Sequence, residues 1–381
     1  MMAGLPFLDG ASGAQSSVSR PRASLTFGAA QSSDSGLGGL VDAAASLLGA
    51  GAAGDPWRDH LLSLRLRRAL APEVDVLELL VAAVPSAPAV ALADAGSVSL
   101  TASDGSDTAV FTGTVDGVFE RARGVRAITL TNGSRELSRA RLNRSFEQQD
   151  TDQIIEALAT ELGLSSELMG EASALPRFVV DDRSSLYAHV ARLASLNGRG
   201  VCIAADGTLR VKDLAAGAEP VIAIAFGVDL LDFSLGERAP FAAAVQVTGE
   251  GAAGDQGSDA WCWLRKDPAS NQSSAGTGTP RGASVAALRS SDAVASLARA
   301  RLARASEAAT RGWLLIAGAP QIEPGDPVGL SGMPQASNDG TYRVEEIVHE
   351  LDARAGFRSR LRVVRTGTGG AGLGDSIGGL S

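Results

Sequence analysis

Residues 322–364 read IEPGDPVGLSGMPQASNDGTYRVEEIVHELDARAGFRSRLRVV, and this stretch decides the fold. Near its end Phe357, Leu361 and Val363 alternate with Arg358, Arg360 and Arg362. Successive side chains of a strand point to opposite faces, so residues 357–365 have one apolar face and one strongly basic face. Residues 341–351 form the strand before it, with ARAG at 353–356 as the turn, and residues 326–330 form a shorter strand upstream.

The same order occurs nearer the N-terminus. GSVSLT at 96–101 matches GDPVGLS at 325–331, and each is followed, after a polar loop, by an aromatic-led strand starting near Phe111 or Tyr342. Each then turns, at 122–124 or 353–356, and returns along residues 125–131 or 357–365. Two copies of one β unit follow as the expectation. In the first copy Leu62, Leu64 and Leu66 alternate with Ser63, Arg65 and Arg67, a strand with one apolar face, and Asp104-Gly105 and Asn132-Gly133 supply turn chemistry.

Two helices lie between the copies. Asp150 or Thr151 can cap the first, Ile154, Ile155, Leu158 and Leu162 form its apolar stripe, and Gly163 ends it. The second runs over 184–197, buries Leu186, Val190 and Leu193, and stops before Gly198. A hairpin follows, with 201–204 and 209–212 flanking Asp206-Gly207. Strands are expected again at 221–225, 243–247 and 312–317, with a helix near 292–309. The fold class is mainly β with an α+β insert: two tube-like antiparallel β-barrel domains and a helix-hairpin middle region. The expected spans are an N-terminal arm at 1–56 with a strand at 23–27, a first β domain at 57–148, an insert at 149–220, a second β domain at 221–365 containing a mobile loop at 249–284, and a Gly-rich tail at 366–381.

Composition narrows the function. The chain has 381 residues, 45% apolar and 20% charged, enough to bury cores without staples. Only 4% is aromatic and the formal charge is −9, so platforms for stacking bases and basic surface for a duplex are both scarce. Sequence-specific nucleic-acid binding is not expected. Cys202 and Cys262 lack the spacing of a metal site or disulfide framework. The start, MMAGLPFLDG, has no basic segment followed by an apolar run, and residues 36–53 are short and interrupted by Asp42, so neither signal-peptide export nor stable membrane insertion is expected.

Glycine patterns of the form GxGxxG occur at 49–54, 249–254 and 367–372, none between a strand and a helix as a dinucleotide site requires. No Walker lysine, GxSxG elbow or HExxH helix is present. His60, His189 and His349 stand apart; Glu345 and His349, four apart on a strand, are expected on one face about 13 Å from each other, too far to share a metal. Asp181 and Asp182, ahead of a helix, read as compensation for its N-terminal charge. No catalytic, cofactor or metal residues are assigned. Arg358, Arg360 and Arg362 are the candidate interface residues, readable either as a solvated face that discourages edge aggregation or as a wall for a partner.

The order of FTGTVDGV at 111–118, TDQIIEALATELGL at 151–164, VDDRSSLYAHVARLASLNGRGVCIAADGTLRV at 180–211 and the 322–364 segment resembles the phage late control gene D proteins, baseplate hubs of contractile tails and related injection machines. The hub half of the type VI secretion spike protein is similar, although here no spike-like β-helix repeat follows the second β unit, so the spike is expected to be a separate protein. The resemblance implies a homotrimer that presents six tube-like domains in a ring, joining a hexameric tail tube to a trimeric spike. It also implies contacts with the tape-measure protein and baseplate wedge components, in a virion or injection-particle baseplate assembled in the bacterial cytoplasm. The alternatives are a tail-tip peptidoglycan hydrolase and a surface carbohydrate-binding β protein.

Overall fold

The computed structural model of the chain describes residues 22–28, 57, 59–102, 105–214, 218–251, 263–264 and 271–366. Most of the expected arm, much of the expected 249–284 loop, the tail after Thr366, Asp104, Cys262 and the glycine patterns at 49–54 and 367–372 lie outside the described residues.

The first β unit contains β1 (Ala23–Gly28), β2 (Leu61–Ala69), β3 (Val76–Ala82), β4 (Ala95–Thr101), β5 (Asp107–Arg121) and β6 (Val125–Thr131). The middle region follows with α1 (Gly133–Arg139), β7 (Arg144–Asp150), α2 (Thr151–Thr160), β8 (Ser166–Leu168), β9 (Ala174–Val180), α3 (Leu186–Leu196), β10 (Arg199–Ile203) and β11 (Leu209–Asp213). The chain then forms β12 (Ile222–Ala225), β13 (Leu230–Glu237), β14 (Ala244–Gly249), β15 (Gln272–Gly276), β16 (Arg281–Val285) and α4 (Ser291–Glu307). It closes with β17 (Thr310–Ala317), β18 (Pro327–Ser331), β19 (Gly340–Asp352) and β20 (Gly356–Arg365).

The duplication is present in the pairing. The first unit has the order β1-β4-β5-β6-β3-β2, and the second has β12-β18-β19-β20-β17-β13. Irregularities recur too. The long strands carry matching register shifts, at Val115/Gly117 in β5 and Val344/Glu346 in β19, and so do the last strands, at Leu61/Ser63 in β2 and Leu230/Asp232 in β13. Val115 exchanges hydrogen bonds with residues 93 and 94 as Val344 does with Gly325 and Asp326. One pairing differs: β1 lies antiparallel to β4, whereas β12 lies parallel to β18.

Closed barrels are not formed among the described residues. Closure of the first unit needs β2 to reach β1, but β2 turns its free edge to residues 346–352 of β19, and the two units join into one twelve-stranded sheet. The bulge at Leu61/Ser63 also corrects the reading of β2: Leu64 and Leu66 are buried, but Leu62 is 46% exposed because the shift turns it outward. Asn132-Gly133 is not a hairpin turn. Asn132 instead caps α1 by accepting from the Ser134 N–H, and Leu164 fills the space beside Gly133.

The middle region behaves as its sequence requires. Asp150 and Gln153 form a reciprocal capping box on α2, Gly163 takes the left-handed conformation just beyond it, and Gly207 does so in the β10–β11 hairpin. Ile154, Ile155, Leu158, Leu186, Val190 and Leu193 share one core, and that core extends to Val245, Val247 and Val285 of β14 and β16 and to Val294 and Leu297 of α4. The stretch expected as a mobile loop thus includes β15 and β16, which pair with opposite edges of β14. Ser, Ala and Gly side chains in QSSAG and RGASV conceal these strands from hydrophobic patterning.

Candidate functional site

The joint between β2 and β19 organises the outer face of the sheet. Across four strands the register places Glu78, Arg65, Glu350 and Arg358 in one row, and each adjacent pair is an ion pair at 3.4–3.9 Å. Along the sheet from this row, Arg67 contacts both Glu73 and Glu346, and Arg362 reaches Glu73 at 3.1 Å and Glu346 at 3.5 Å. Alternating charge on neighbouring strands is the pattern that pins a register, although each exposed pair contributes only about 0.2–1 kcal/mol.

All three sequence-predicted arginines lie on this face, but they do not form a bare basic wall. Arg358 pairs with Glu350 and Asp352, and Arg362 with Glu73, Glu345 and Glu346. Only Arg360 lacks a carboxylate partner among the described residues, and its guanidinium lies 5.0 Å from the Trp313 ring centre. The alternation in β20 locates the arginines; Glu345, Glu346, Glu350 and Asp352 meet two of them from β19, the preceding strand of the same hairpin, and Glu73 from the β2–β3 turn, beyond the reach of a local pattern. A groove of about 770 Å³ continues from Arg360 and Arg362 over Trp313 to Arg311, Gly236 and Arg238.

Behind that face lies a buried junction of all three parts of the chain. Arg68, at the end of β2, has a side chain only 2% exposed and donates to the Ile203 carbonyl and to Glu323 at 3.2 Å. Glu323 also accepts from Arg210 at 2.7 Å and Lys212 at 2.9 Å, both on β11, and Lys212 reaches Asp326 at 2.8 Å. Burial alone would raise the Glu323 pKa, but Arg68, Lys212 and Arg210 together hold it down at about 2. Nearby, burial raises Asp75 to about 6 against the opposing pull of Arg68 and hydrogen bonds from Asn132 and the Ala69 N–H. Cys202 is buried, its thiol pushed up to about 11, which makes it an inert core residue.

His349 and His189 are each held by a hydrogen bond within the fold. His349 is buried beneath the joint, bonded to Ser359 at 2.9 Å and driven by burial to about 3. The bulge in β19 gives Glu345 outer-face contact with Arg362 while His349 points inward, so the two do not share the one face that regular alternation would give them. His189 bonds to the Asp181 carbonyl at 3.0 Å and meets Phe178 edge-on. Asp181 closes its own turn by pairing with Arg183, while Ser185 caps α3. Among the described residues no group of three His, Cys, Asp or Glu side chains is placed to hold a metal ion, and no helix is long and apolar enough to cross a membrane.

This fold is shared with tail proteins. A 43 kDa tail protein of prophage MuSo2 from Shewanella oneidensis superposes with a TM-score of 0.62 at 13% identity, over 91% of this chain and 98% of that one. A tail protein from Neisseria meningitidis MC58 gives 0.60 at 15% identity, over 81% and 93%. The E. coli c3393 protein, a component of the type VI secretion system, gives 0.53 at 13% identity, over 81% and 74%. No curated protein matches the sequence. The family model that matches is not that of the late control gene D proteins: it is described as the Alg8 N-terminal domain, it aligns with residues 103–353, and the chain belongs to that family.

Proposed function

We propose that the protein is a structural baseplate hub of a contractile tail or injection machine, joining a hexameric tail tube to a trimeric spike. The observation that carries this reading is the repeated six-strand order within one chain. Two similar units per chain let three chains present six similar sheets, which is how a threefold object can meet a sixfold one. The fold likeness to tail proteins and the resemblance to late control gene D proteins support the same reading. The protein works by assembly without a catalytic step. The spike, the tube protein, the tape-measure protein and baseplate wedge components are its partners, in a particle assembled in the cytoplasm.

The test is the mass of the purified full chain in solution and the position of a tagged copy in particle images. Three copies forming a ring at the junction of tube and spike are expected. A chain that stays single at all concentrations and lies off the tail axis would refute the proposal. Incubation with peptidoglycan is expected to release no fragments, and glycan binding by the free protein would favour the carbohydrate-binding alternative.

A further inference from the structure

The internal duplication matches residues of the two units through their hydrogen-bonded partners. Register along β5–β6 and β19–β20 equates Gly117 with Glu346, Phe119 with Val348 and Arg121 with Glu350. Register along β3–β6 with β2–β3, and along β17–β20 with β13–β17, equates Arg65 with Ser234, Arg67 with Gly236 and Ala69 with Arg238. Even the bulged leucines correspond: Leu62 is 46% exposed and Leu231 is 56% exposed.

One difference between the units remains. In the second, the edge of β19 beyond its bulge is occupied by β2, from Ala69 opposite Glu346 to Ser63 opposite Asp352. In the first, the matching edge of β5, residues 117–121, pairs with no strand among the described residues. The outer edge of β13, the counterpart of β2, is likewise without a ladder over residues 232–237. The chain therefore carries both halves of a joint that it makes once within itself.

We propose that β13 of one copy pairs antiparallel with residues 117–121 of a second copy, repeating between chains the joint that β2 makes with β19 within one. This rests on the ring reading above and specifies its contact. The implied register sets Ser234 opposite Arg121, Gly236 opposite Phe119 and Arg238 opposite Gly117. The side chains fit that register. Phe119 is 60% exposed, and a Cβ added at Gly236 meets nothing within 4 Å, so the ring has an open seat. Arg311, the partner of Gly236 on β17, has no ion pair among the described residues and can reach across the glycine to the ring face. Arg238 comes beside the bulged Asp116, and Asp232 beside Arg121. The contact is heterologous, head to tail, and closes as a ring.

The test uses the full chain with Cys262→Ser and the pair Ser234→Cys and Arg121→Cys. Both engineered positions are exposed, so folding is preserved. Opposed residues of an antiparallel pair lie about 4.5–5.5 Å apart at Cα, within disulfide range. Mild oxidation is expected to give covalent species of two and three chains, which neither single-cysteine variant gives. A second variant, Gly236→Leu, fills the seat of Phe119 and is expected to weaken assembly at least tenfold in light scattering with an unchanged melting curve. A ring of normal mass that neither cross-links nor responds to Gly236→Leu overturns the joint and leaves the hub reading standing. A single-chain mass at every concentration, without cross-links, overturns both.

Discussion

Replacing Glu323 with Gln removes one charge from the buried junction while keeping its shape. Gln keeps one acceptor oxygen, so either Arg68 or the Arg210–Lys212 pair meets an amide NH2 in place of its acceptor, and no carboxylate remains for Arg68. Glu323 is held at about 2, against an ordinary value of 4.5. At about 1.4 kcal/mol per pKa unit, that difference corresponds to about 3 kcal/mol of folding stability. Removing one partner of a buried ion pair gives the same order, about 3–5 kcal/mol. With roughly 2 cal/mol/K of unfolding entropy per residue, such a loss lowers the melting temperature by about 4 °C if the chain melts as one unit. The pH dependence is the sharper readout. A depressed carboxylate stabilises the fold above its unfolded pKa and loses that contribution as pH falls, so the gap between wild type and Glu323→Gln should be full at pH 7 and shrink from about pH 4.5 toward 2. Urea midpoints of both proteins across that range measure it. A gap that is absent at pH 7, or constant down to pH 3, refutes the assignment of the junction's stability to this carboxylate.

Asp75 has the opposite sign. Its folded pKa of about 6 lies above the ordinary 3.8, so its contribution is greatest below pH 3.8 and is lost as pH rises through 6; Asp75→Asn should flatten the urea midpoint over that window. Asp150→Ala removes the capping box of α2 and should cost about 1 kcal/mol, read as a lower denaturant midpoint with unchanged slope. Gly113→Ala places a Cβ 2.3 Å from the Thr131 carbonyl, a contact the β-sheet cannot relieve by side-chain motion, and should cost about 1–3 kcal/mol in the same assay.

Local chemistry made much of this molecule legible. Strands with regular alternation, such as β20, and helices with both caps present, such as α2, appear within a few residues of where their patterns put them. The duplication was readable because its signals, a turn between two long strands, are local as well. What escaped depends on distant partners. Val76–Ala82, VLELLVA, has apolar residues on both faces and offers no alternation. Leu230–Glu237, LLDFSLGE, sits at the end of the sheet with little of its surface buried, and the register shift at Leu230/Asp232 interrupts its alternation. The candidate site was half legible for the same reason. Arg358, Arg360 and Arg362 declare a face, while Glu73, which pairs with Arg362, lies 289 residues away in sequence.

Two strand edges without a ladder among the described residues invite indiscriminate pairing, and the residues along them bear on how that is avoided. On β13 the side chain of Asp232 accepts from the Phe233 N–H at 2.8 Å, and Arg238 follows the strand; on β5 the exposed end carries Glu120 and Arg121. Such edges resist a neutral strand but accept one whose charges and bulges are complementary. The closed joint shows the same logic: β2 is accepted by β19 through rows in which Arg65 and Arg67 meet Glu350 and Glu346. Making half of the joints within the chain also matters energetically. A joint between units already linked by the polypeptide forms without the translational and rotational loss of association, about 4–15 kcal/mol for separate molecules. In the proposed ring, six units on three chains need three chain-to-chain joints in place of six and two associations in place of five, so each such joint can be weak alone and still close a ring in which every chain is held at both ends.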